Sequence, residues 1–322
     1  MRDSTEPSAT GPATRVAKRE GLCSSADGLE LHWRSWLPPH PEGVIVVTHG
    51  LAEHGGRYHE TAEYFAAHGW AVYAGDLRGH GRSPDVPGAG RVHVRRFTDY
   101  FMDVDAFINL ALEQHADLPL FLLGHSMGGL ITVSYVLRNS DHLAGAIISS
   151  PALGTHPDFK PPALLRLLVS VLDRLAPRLR FPSDLDTNAI SRDPEVVQAY
   201  LDDPLVSQKV SARWYAEILR SIKRAHEDAP ALRTPVLLMQ SGADRLVDPA
   251  APARWANLAP PGLVELVHWD GLYHEMFNEP ERLQVRRRAL DWLLQRMARL
   301  AVQSNQAATP LQPEQGDTET TG

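Results

Sequence analysis

Residues 118–129 read Leu118-Pro119-Leu120-Phe121-Leu122-Leu123-Gly124-His125-Ser126-Met127-Gly128-Gly129. An apolar run leads into a Gly-x-Ser-x-Gly turn centred on Ser126, and an apolar pattern with helical spacing follows as far as Leu137. A buried strand, a tight turn and a helix in this order predict a nucleophile elbow, in which a serine hydroxyl is exposed for attack.

Two other interpretations of this stretch stay open. Gly-x-Ser-x-Gly turns are common, and many have no chemical role. Residues 118–137 also contain no Asp, Glu, Lys or Arg, as in a membrane-spanning helix. Pro119, Gly124, Gly128 and Gly129 would weaken one continuous helix, and we therefore favour the strand, turn and helix.

Composition limits the class of protein. The 322 residues are 43% hydrophobic, which is enough for one large α/β domain or two small ones. The net charge of −7 argues against a nucleic-acid partner, because phosphate binding needs clustered Lys and Arg. Cys23 is the single cysteine, so the chain can form no internal disulfide and no cysteine-based metal site. We expect a cytoplasmic protein, since residues 1–20 lack the apolar core of a secretory signal and we find no transmembrane segment.

Short apolar runs between helical patterns indicate a parallel sheet. The expected strands are Val44 to Thr48, Ala71 to Ala74, Leu120 to Leu123, Ala146 to Ser149, Val236 to Gln240, and Val264 to Val267. The expected helices between and after them include His59 to His68, Thr98 to His115, and about Pro280 to Leu300. Unbroken apolar strands are typical of a sheet covered on both faces, and their alternation with helices predicts a mostly parallel, doubly wound α/β fold.

The chain divides into a core with two polar tails. Residues 1–21 and 303–322 are rich in polar residues and proline, so we expect both tails to be disordered. Within the core at 22–302, residues from about 151 to 230 contain many prolines and no clear strand, and predict a helical cap. A segment from Ala163 to Ala176 carries a dense Leu and Val face. It is either an ordinary amphipathic helix packed on the core, which we slightly favour, or a lid that covers an apolar pocket and transiently touches a membrane surface.

A serine nucleophile needs a base and a group that orients the base, and in this topology they follow as Asp or Glu and then His. Asp244 follows the expected strand at 236–240, and His274 lies in the loop after the next strand. We assign Asp248, which precedes Pro249, to helix capping, and we exclude His125 as the base because its place beside Ser126 should point it away.

Two backbone N–H groups are needed to stabilise the oxyanion. We expect one from Met127, which follows the nucleophile, and one from Leu51 in the loop His49-Gly50-Leu51-Ala52. This chemistry requires no metal and no cofactor.

Several segments together carry a family resemblance: residues 49–58, 76–83, 124–129, 191–194, 241–248 and 273–275. With them, the chain resembles the monoacylglycerol lipase branch of the α/β-hydrolase superfamily, which includes serine aminopeptidase-like and lysophospholipase-like members. The similarity extends from about Gly28 to Leu300. The segment His49 to Tyr58 is the most specific to this branch, whereas the elbow and Asp76 to Ser83 occur in many α/β-hydrolases.

The resemblance implies an α/β-hydrolase fold with a helical cap and a serine esterase acting on a lipid ester, long-chain monoacylglycerol. The family's catalytic residues match Ser126, Asp244 and His274, and its oxyanion donors match Leu51 and Met127, although the family often has a smaller residue than Leu51. Glu53 and Arg57 either shape a polar end that receives glycerol or form an internal ion pair.

Three other functions stay open at this point: a lysophospholipase, a general carboxylesterase, and a catalytically silent ligand-binding module of the same fold. The apparently complete triad argues against the silent module. The sequence does not determine the oligomeric state or the preferred acyl chain.

Overall fold

The computed structural model describes residues 16–139, 141–159, 163–183 and 185–308. Eight strands form one sheet in the order β1-β2-β4-β3-β5-β6-β9-β10. Their bounds are β1 Ala17–Ser24, β2 Glu30–Leu37, β3 Gly43–Thr48, β4 Trp70–Gly75, β5 Leu120–His125, β6 Gly145–Ser149, β9 Val236–Ser241 and β10 Val264–Trp269. Strands β4, β3, β5, β6, β9 and β10 pair in parallel, whereas β2 pairs antiparallel with both of its neighbours. The predicted mostly parallel α/β sheet is confirmed.

Helices cover both faces of this sheet. They are α1 His59–Ala67, α2 Asp99–His115, α3 Met127–Val136, α4 Ala163–Leu175, α5 Pro194–Asp202, α6 Ala212–Glu227, α7 Ala251–Leu258 and α8 Arg282–Ala308. Alternate residues of β3 separate the two apolar layers: Val44 and Val46 pack on the side of α2, α3 and α7, and Ile45 and Val47 on the side of α1 and α8. Side chains alternate along a strand, so a strand buried on both faces has no polar positions.

Residues 118–137 form β5, the turn at Ser126 and α3, and the alternative of one membrane helix is wrong. Among the described residues, no helix combines the length and the apolar character needed to cross a bilayer.

The cap lies between the end of β6 at Ser149 and the start of β9 at Val236. It contains α4, α5 and α6. The expectation that it holds no strand is wrong, because β7 Arg180–Pro182 and β8 Lys209–Ser211 form an antiparallel pair. Three-residue strands give too short a pattern to be seen in sequence.

Both predicted tail boundaries need correction. Strand β1 begins at Ala17, inside the segment expected to be disordered, because its backbone pairs with β2 along its whole length. Helix α8 continues to Ala308, beyond the expected boundary at 303. The rest of the two predicted tails, 1–15 and 309–322, lies outside the described residues.

Candidate active site

Ser126 sits between β5 and α3 with a backbone that residues other than glycine rarely adopt. Its φ is 53° and its ψ is −117°. Such a conformation costs on the order of 1–3 kcal/mol and persists only where the surroundings fix it. Here the Ser126 N–H donates to the Ser149 carbonyl at 3.0 Å, and the Ser126 carbonyl accepts from the N–H groups of Leu130 and Ala152, each at 3.0 Å. The chain therefore turns sharply at Ser126, between the end of β5 and the start of α3.

The two outer glycines of the elbow are required by close packing. A Cβ on Gly124 would lie 2.2 Å from Thr132 Oγ1, and one on Gly128 would lie 2.1 Å from the Thr48 carbonyl oxygen. No side chain fits at either distance. The missing Cβ atoms let α3 approach both its own strand and the loop after β3.

Asp244 and His274 meet at the carboxyl edge of the sheet, as the chain order predicts. The His274 Nδ1–H donates to Asp244 Oδ2 at 2.8 Å, and both side chains are almost completely buried. Because the carboxylate accepts the hydrogen bond from Nδ1–H, the proton of the neutral imidazole stays on Nδ1, and Nε2 is free to act as an acceptor. This is the tautomer that a general base needs.

Asp244 is fixed by four further donors, of which Gln240 Nε2, 3.5 Å from Oδ2, is the most distant. Ser241 Oγ donates to Oδ2 at 2.9 Å, and the N–H groups of Leu246 and Val247 donate to Oδ1 at 2.9 and 3.1 Å. Burial alone raises the pKa of this carboxyl group, but His274 and the two backbone donors outweigh burial and lower the pKa below its usual value. Asp244 therefore stays ionised at neutral pH.

His274 responds in the opposite direction. Burial lowers the pKa of the imidazole, but the charge of Asp244 and the hydrogen bond to it outweigh burial, and the pKa is raised above 6.5. The surroundings of His274 thus favour its protonated form, the imidazolium.

His125 corrects one expectation from the sequence. Its ring does not point away from the site but packs on the His274 ring, with 4.7 Å between the ring centroids. Burial and the neighbouring His274 lower the pKa of His125 to about 4, so it is neutral at neutral pH. The uncharged ring of His125 therefore packs against one side of the His274 ring.

The loop after β3 lies directly against Ser126. A Cβ on Gly50 would be 3.3 Å from Ser126 Cβ, and Ala52 has a positive φ of 66°. Among the described residues, the backbone N–H groups of Leu51 and Met127 have no protein acceptor. They are therefore available to a developing oxyanion.

Glu53 and Arg57 are engaged within the protein. Glu53 Oε1 accepts from the Gly50 N–H at 2.5 Å and from the Tyr58 hydroxyl at 2.8 Å, and its Oε2 accepts from Arg57 at 2.7 Å. Arg57 also makes two hydrogen bonds to Glu275, at 2.6 and 2.8 Å. This geometry favours the internal ion pair over the glycerol contact. It ties the loop of Leu51 to the loop of His274.

Sequence reasoning missed three members of the site: Ser241, Glu275 and Glu279. The first two lie within the motifs around Asp244 and His274, which was an available signal. The buried carboxylate of Glu279 accepts from Ser191 Oγ at 2.8 Å, from the Arg192 N–H at 2.6 Å and from the Tyr273 N–H at 3.2 Å. It joins the cap to the His274 loop.

Two further expectations concern Asp248 and metal binding. The assignment of Asp248 to helix capping is wrong, because the N-cap residue of α7 is Ala250 and this helix has no side-chain cap hydrogen bond. Asp248 Oδ1 instead accepts from the Ala250 N–H at 3.0 Å in the turn before α7, and its Oδ2 pairs with Arg254. Within the described part of the chain, no group of three or more His, Cys, Asp or Glu residues is arranged to hold a metal ion.

The fold and this site define a carboxylic ester hydrolase with the α/β-hydrolase fold. The chain belongs to the family described as "Serine aminopeptidase, S33", whose model matches residues 39–281.

Characterised relatives cover most of the chain. It is 40% identical over 253 residues to "Phospholipase YtpA" of Bacillus subtilis, a match covering 78% of this chain and 95% of the relative. It is 37% identical over 279 residues to "Monoacylglycerol lipase" of Mycolicibacterium smegmatis, covering 86% and 97% of the two chains. The crystal structure of Paleococcus ferrophilus monoacylglycerol lipase superposes with a TM-score of 0.74 at 32% identity, covering 83% of this chain and all of that one. The resemblance seen in the sequence is confirmed.

Proposed function

We propose that this protein hydrolyses monoacylglycerols to glycerol and free fatty acid through an acyl-enzyme. One observation carries the proposal: the His274–Asp244 hydrogen bond of 2.8 Å lies at the sheet edge that also bears the strained Ser126 turn. The ring contact between His125 and His274 brings the base to the residue that precedes the nucleophile.

Acylation follows from these positions. Ser126 Oγ attacks the ester carbonyl while His274 Nε2 takes the hydroxyl proton. The negative charge of the tetrahedral intermediate is stabilised by the N–H groups of Leu51 and Met127, and Asp244 stabilises the imidazolium. His274 then returns the proton to the leaving glycerol oxygen.

Deacylation repeats the sequence with water. His274 Nε2 removes a proton from a water molecule, which attacks the acyl-enzyme carbonyl, and the proton passes to Ser126 Oγ as the fatty acid leaves. Each step uses the same base and the same two backbone donors.

The choice of monoacylglycerol as substrate is supported by two relatives named monoacylglycerol lipase. One is 37% identical in sequence, and the other, whose crystal structure superposes on this chain, is 32% identical in sequence. A second candidate, lysophospholipase, is favoured by the relative named phospholipase at 40% identity. A panel of monoacylglycerols, lysophospholipids and short-chain esters at matched acyl length distinguishes these two and a general carboxylesterase through kcat/KM.

The nucleophile is tested with a fluorophosphonate probe. Ser126→Ala is expected to lose labelling and to lose hydrolysis of every ester in the panel. Ser134→Ala, on the same helix α3, is the matched control and should keep both. Labelling that persists in Ser126→Ala would remove Ser126 from its role. A wild-type chain that neither labels nor hydrolyses any ester would instead support the silent ligand-binding module.

We also propose that the cap contacts a membrane surface transiently. The supporting observation is a set of exposed apolar side chains on and after α4: Leu168, Val171, Leu175 and Leu179. Apolar residues beside Arg174 and Arg178 suit the interface of an anionic bilayer. Co-flotation with anionic liposomes, reduced when Leu175 and Leu179 are replaced by Gln, is the expected result, and an active enzyme that does not float contradicts the contact. The cytoplasmic location, which rests on the single cysteine and the polar N-terminus, stays a prediction.

A further inference from the structure

A second cleft lies outside the site of Ser126 and is lined by cations. Its volume is about 470 Å³, and its walls are formed by residues 204–209 of the cap, Arg180, Arg91 and Gly81. None of the described residues that line it is acidic. Ser126, Asp244 and His274 are not among them. The cleft is therefore separate from the catalytic residues.

The charges in the cleft are poorly compensated. Arg180 Nη2 donates only to neutral acceptors, Ser207 Oγ and the Lys209 carbonyl, both at 3.3 Å. In the described part of the chain, neither Arg180 nor Lys209 has a carboxylate within ion-pair distance. Arg91 donates to the Gly81 carbonyl at 2.5 Å and reaches Asp85 only at 3.8 Å. Three positively charged side chains, Arg91, Arg180 and Lys209, therefore line one cleft of a chain whose net charge is −7.

One donor in the cleft is also left without a partner. The Arg180 Nε–H is buried and has no acceptor among the residues that the structure describes. An unsatisfied buried donor costs on the order of 1–3 kcal/mol, and such groups are usually met by a ligand or by ordered water. A guanidinium with an unpaired N–H, in a cleft that a lysine also lines, matches the charge and the acceptor oxygens of a phosphate.

The walls of the cleft are held in place before any ligand binds. Gly90 has a positive φ of 74°, and a Cβ there would lie 3.4 Å from Arg180 Nη1, so the bare backbone lets the arginine lie across the loop. The Ser183 N–H donates to the Gln208 carbonyl, and the Ser211 N–H donates to the Val92 carbonyl. A site that is already ordered loses less entropy on binding.

The cleft also backs onto the loop that carries Leu51. The Ser207 N–H donates to the Ala52 carbonyl at 2.9 Å, and Asp203 Oδ2 pairs with His54 Nε2 at 2.8 Å. The wall formed by residues 204–209 is thus hydrogen-bonded to the residue that follows Leu51. A ligand in the cleft would touch the same segment that positions an oxyanion donor.

We propose that this cleft is a phosphate-binding site, occupied by a phosphate group on a small ligand. Arg180 supplies the guanidinium fork, and Lys209 and Arg91 supply two further positive charges. The volume suits a phosphate with a small organic group attached. The phosphate comes either from the head group of a lysophosphatidate-type lipid or from free phosphate.

Direct binding is the first test, and it does not depend on the proposed hydrolysis. Inorganic phosphate and glycerol 3-phosphate are titrated into the full chain by calorimetry. Wild type should bind saturably, and Arg180→Gln with Lys209→Gln should weaken binding at least about tenfold, as expected when charge-assisted hydrogen bonds are lost. Lys223→Gln, an exposed lysine of α6 that pairs only with Glu227 among the described residues, is the matched control and should bind like wild type.

Because Lys209 is exposed, Lys209→Gln should not affect folding. This single variant should already bind phosphate more weakly than wild type. Equal phosphate binding by wild type and the double variant, or no saturable binding by wild type, overturns the site.

Kinetics separate the two sources of the phosphate. If it belongs to a lipid head group, the ratio of kcat/KM for lauroyl lysophosphatidate to that for lauroylglycerol should fall about tenfold in the double variant but not in Lys223→Gln. If it is free phosphate, the ratio stays constant while calorimetric binding is lost. Both outcomes support the cleft, and they assign different ligands to it.

Discussion

The central sheet and the cap bury their side chains in different ways. Strands β3, β4, β5, β6 and β9 consist entirely of buried residues, and their loops hold the catalytic candidates through hydrogen bonds to buried groups. In the cap, α4 leaves Leu175 80% exposed, and β7 and β8 have only three residues each. The sheet edge thus holds its side chains in fully buried surroundings, whereas the cap leaves more of its apolar surface exposed.

One of the links between the two regions lies beside His274. Glu279 accepts hydrogen bonds from Ser191 and Arg192 of the cap and from Tyr273 beside the base, and the Glu275 N–H donates to the Ile190 carbonyl at 2.8 Å. The cap is therefore attached directly to the His274 loop. Variants on the two sides of this link should have very different consequences.

The largest effect is expected for Asp244→Asn at the sheet edge. The amide would favour the wrong tautomer of His274, and kcat should fall on the order of 10⁴ while the protein stays folded. Asp248→Asn is the matched control, since this carboxylate serves a turn and Arg254, and it should keep activity near wild type. Steady-state hydrolysis of a chromogenic ester measures both. A similar loss of kcat in the two variants would show that Asp244 does not orient the catalytic base.

The buried ion network should be costly to break. Arg57→Leu leaves Glu53 and Glu275 facing each other without their shared cation, and the free energy of unfolding should drop by about 3 kcal/mol or more. In the cap, Arg220→Leu removes a guanidinium that is 43% exposed and leaves Arg213 on Asp173, so the loss should stay within about 1 kcal/mol. Urea unfolding compares the two. Equal losses would mean that the buried network contributes no more to stability than the partly exposed pair in the cap.

The sequence reveals the sheet and the triad more readily than the partners that hold them. The parallel strands are short unbroken apolar runs, and Asp244 and His274 follow from chain order after Ser126. Strand β1 was missed because its residues include Lys18, Arg19 and Glu20, and only pairing with β2 makes it a strand.

The ion network was harder to predict. Arg57 and Glu275 are 218 residues apart, and neither side chain signals the other. The same holds for Ser191 and Glu279, whose contact depends on how the cap folds back over the sheet. Local patterns show which residues can do chemistry, but long-range packing determines which residues support them.

The pH dependence reports on the same sheet edge. Since Asp244 raises the pKa of His274 and the base must be neutral, kcat/KM should fall as the pH drops through a value above 6.5. In Asp244→Asn, burial still lowers the pKa of His274, but the carboxylate that raises this pKa is gone. The acid limb of the residual activity should therefore move to lower pH. For stability the sign is reversed: protonated His274 stabilises the fold fully below pH 6.5, and that contribution disappears as the pH rises through the raised pKa. An acid limb that does not move in the variant would contradict the coupling.

The smallest effect is expected at the cap surface. Leu175→Ala removes a side chain that is 80% exposed, so the free energy of unfolding should change by less than about 0.5 kcal/mol. Leu122→Ala in β5, where the leucine is fully buried, removes the same atoms and should cost about 2–5 kcal/mol, because it leaves a cavity between the sheet and its helices. Thermal unfolding of the pair measures the contrast directly. A large loss in Leu175→Ala would show that α4 packs against other protein atoms in solution, and the proposed membrane contact would lose its surface.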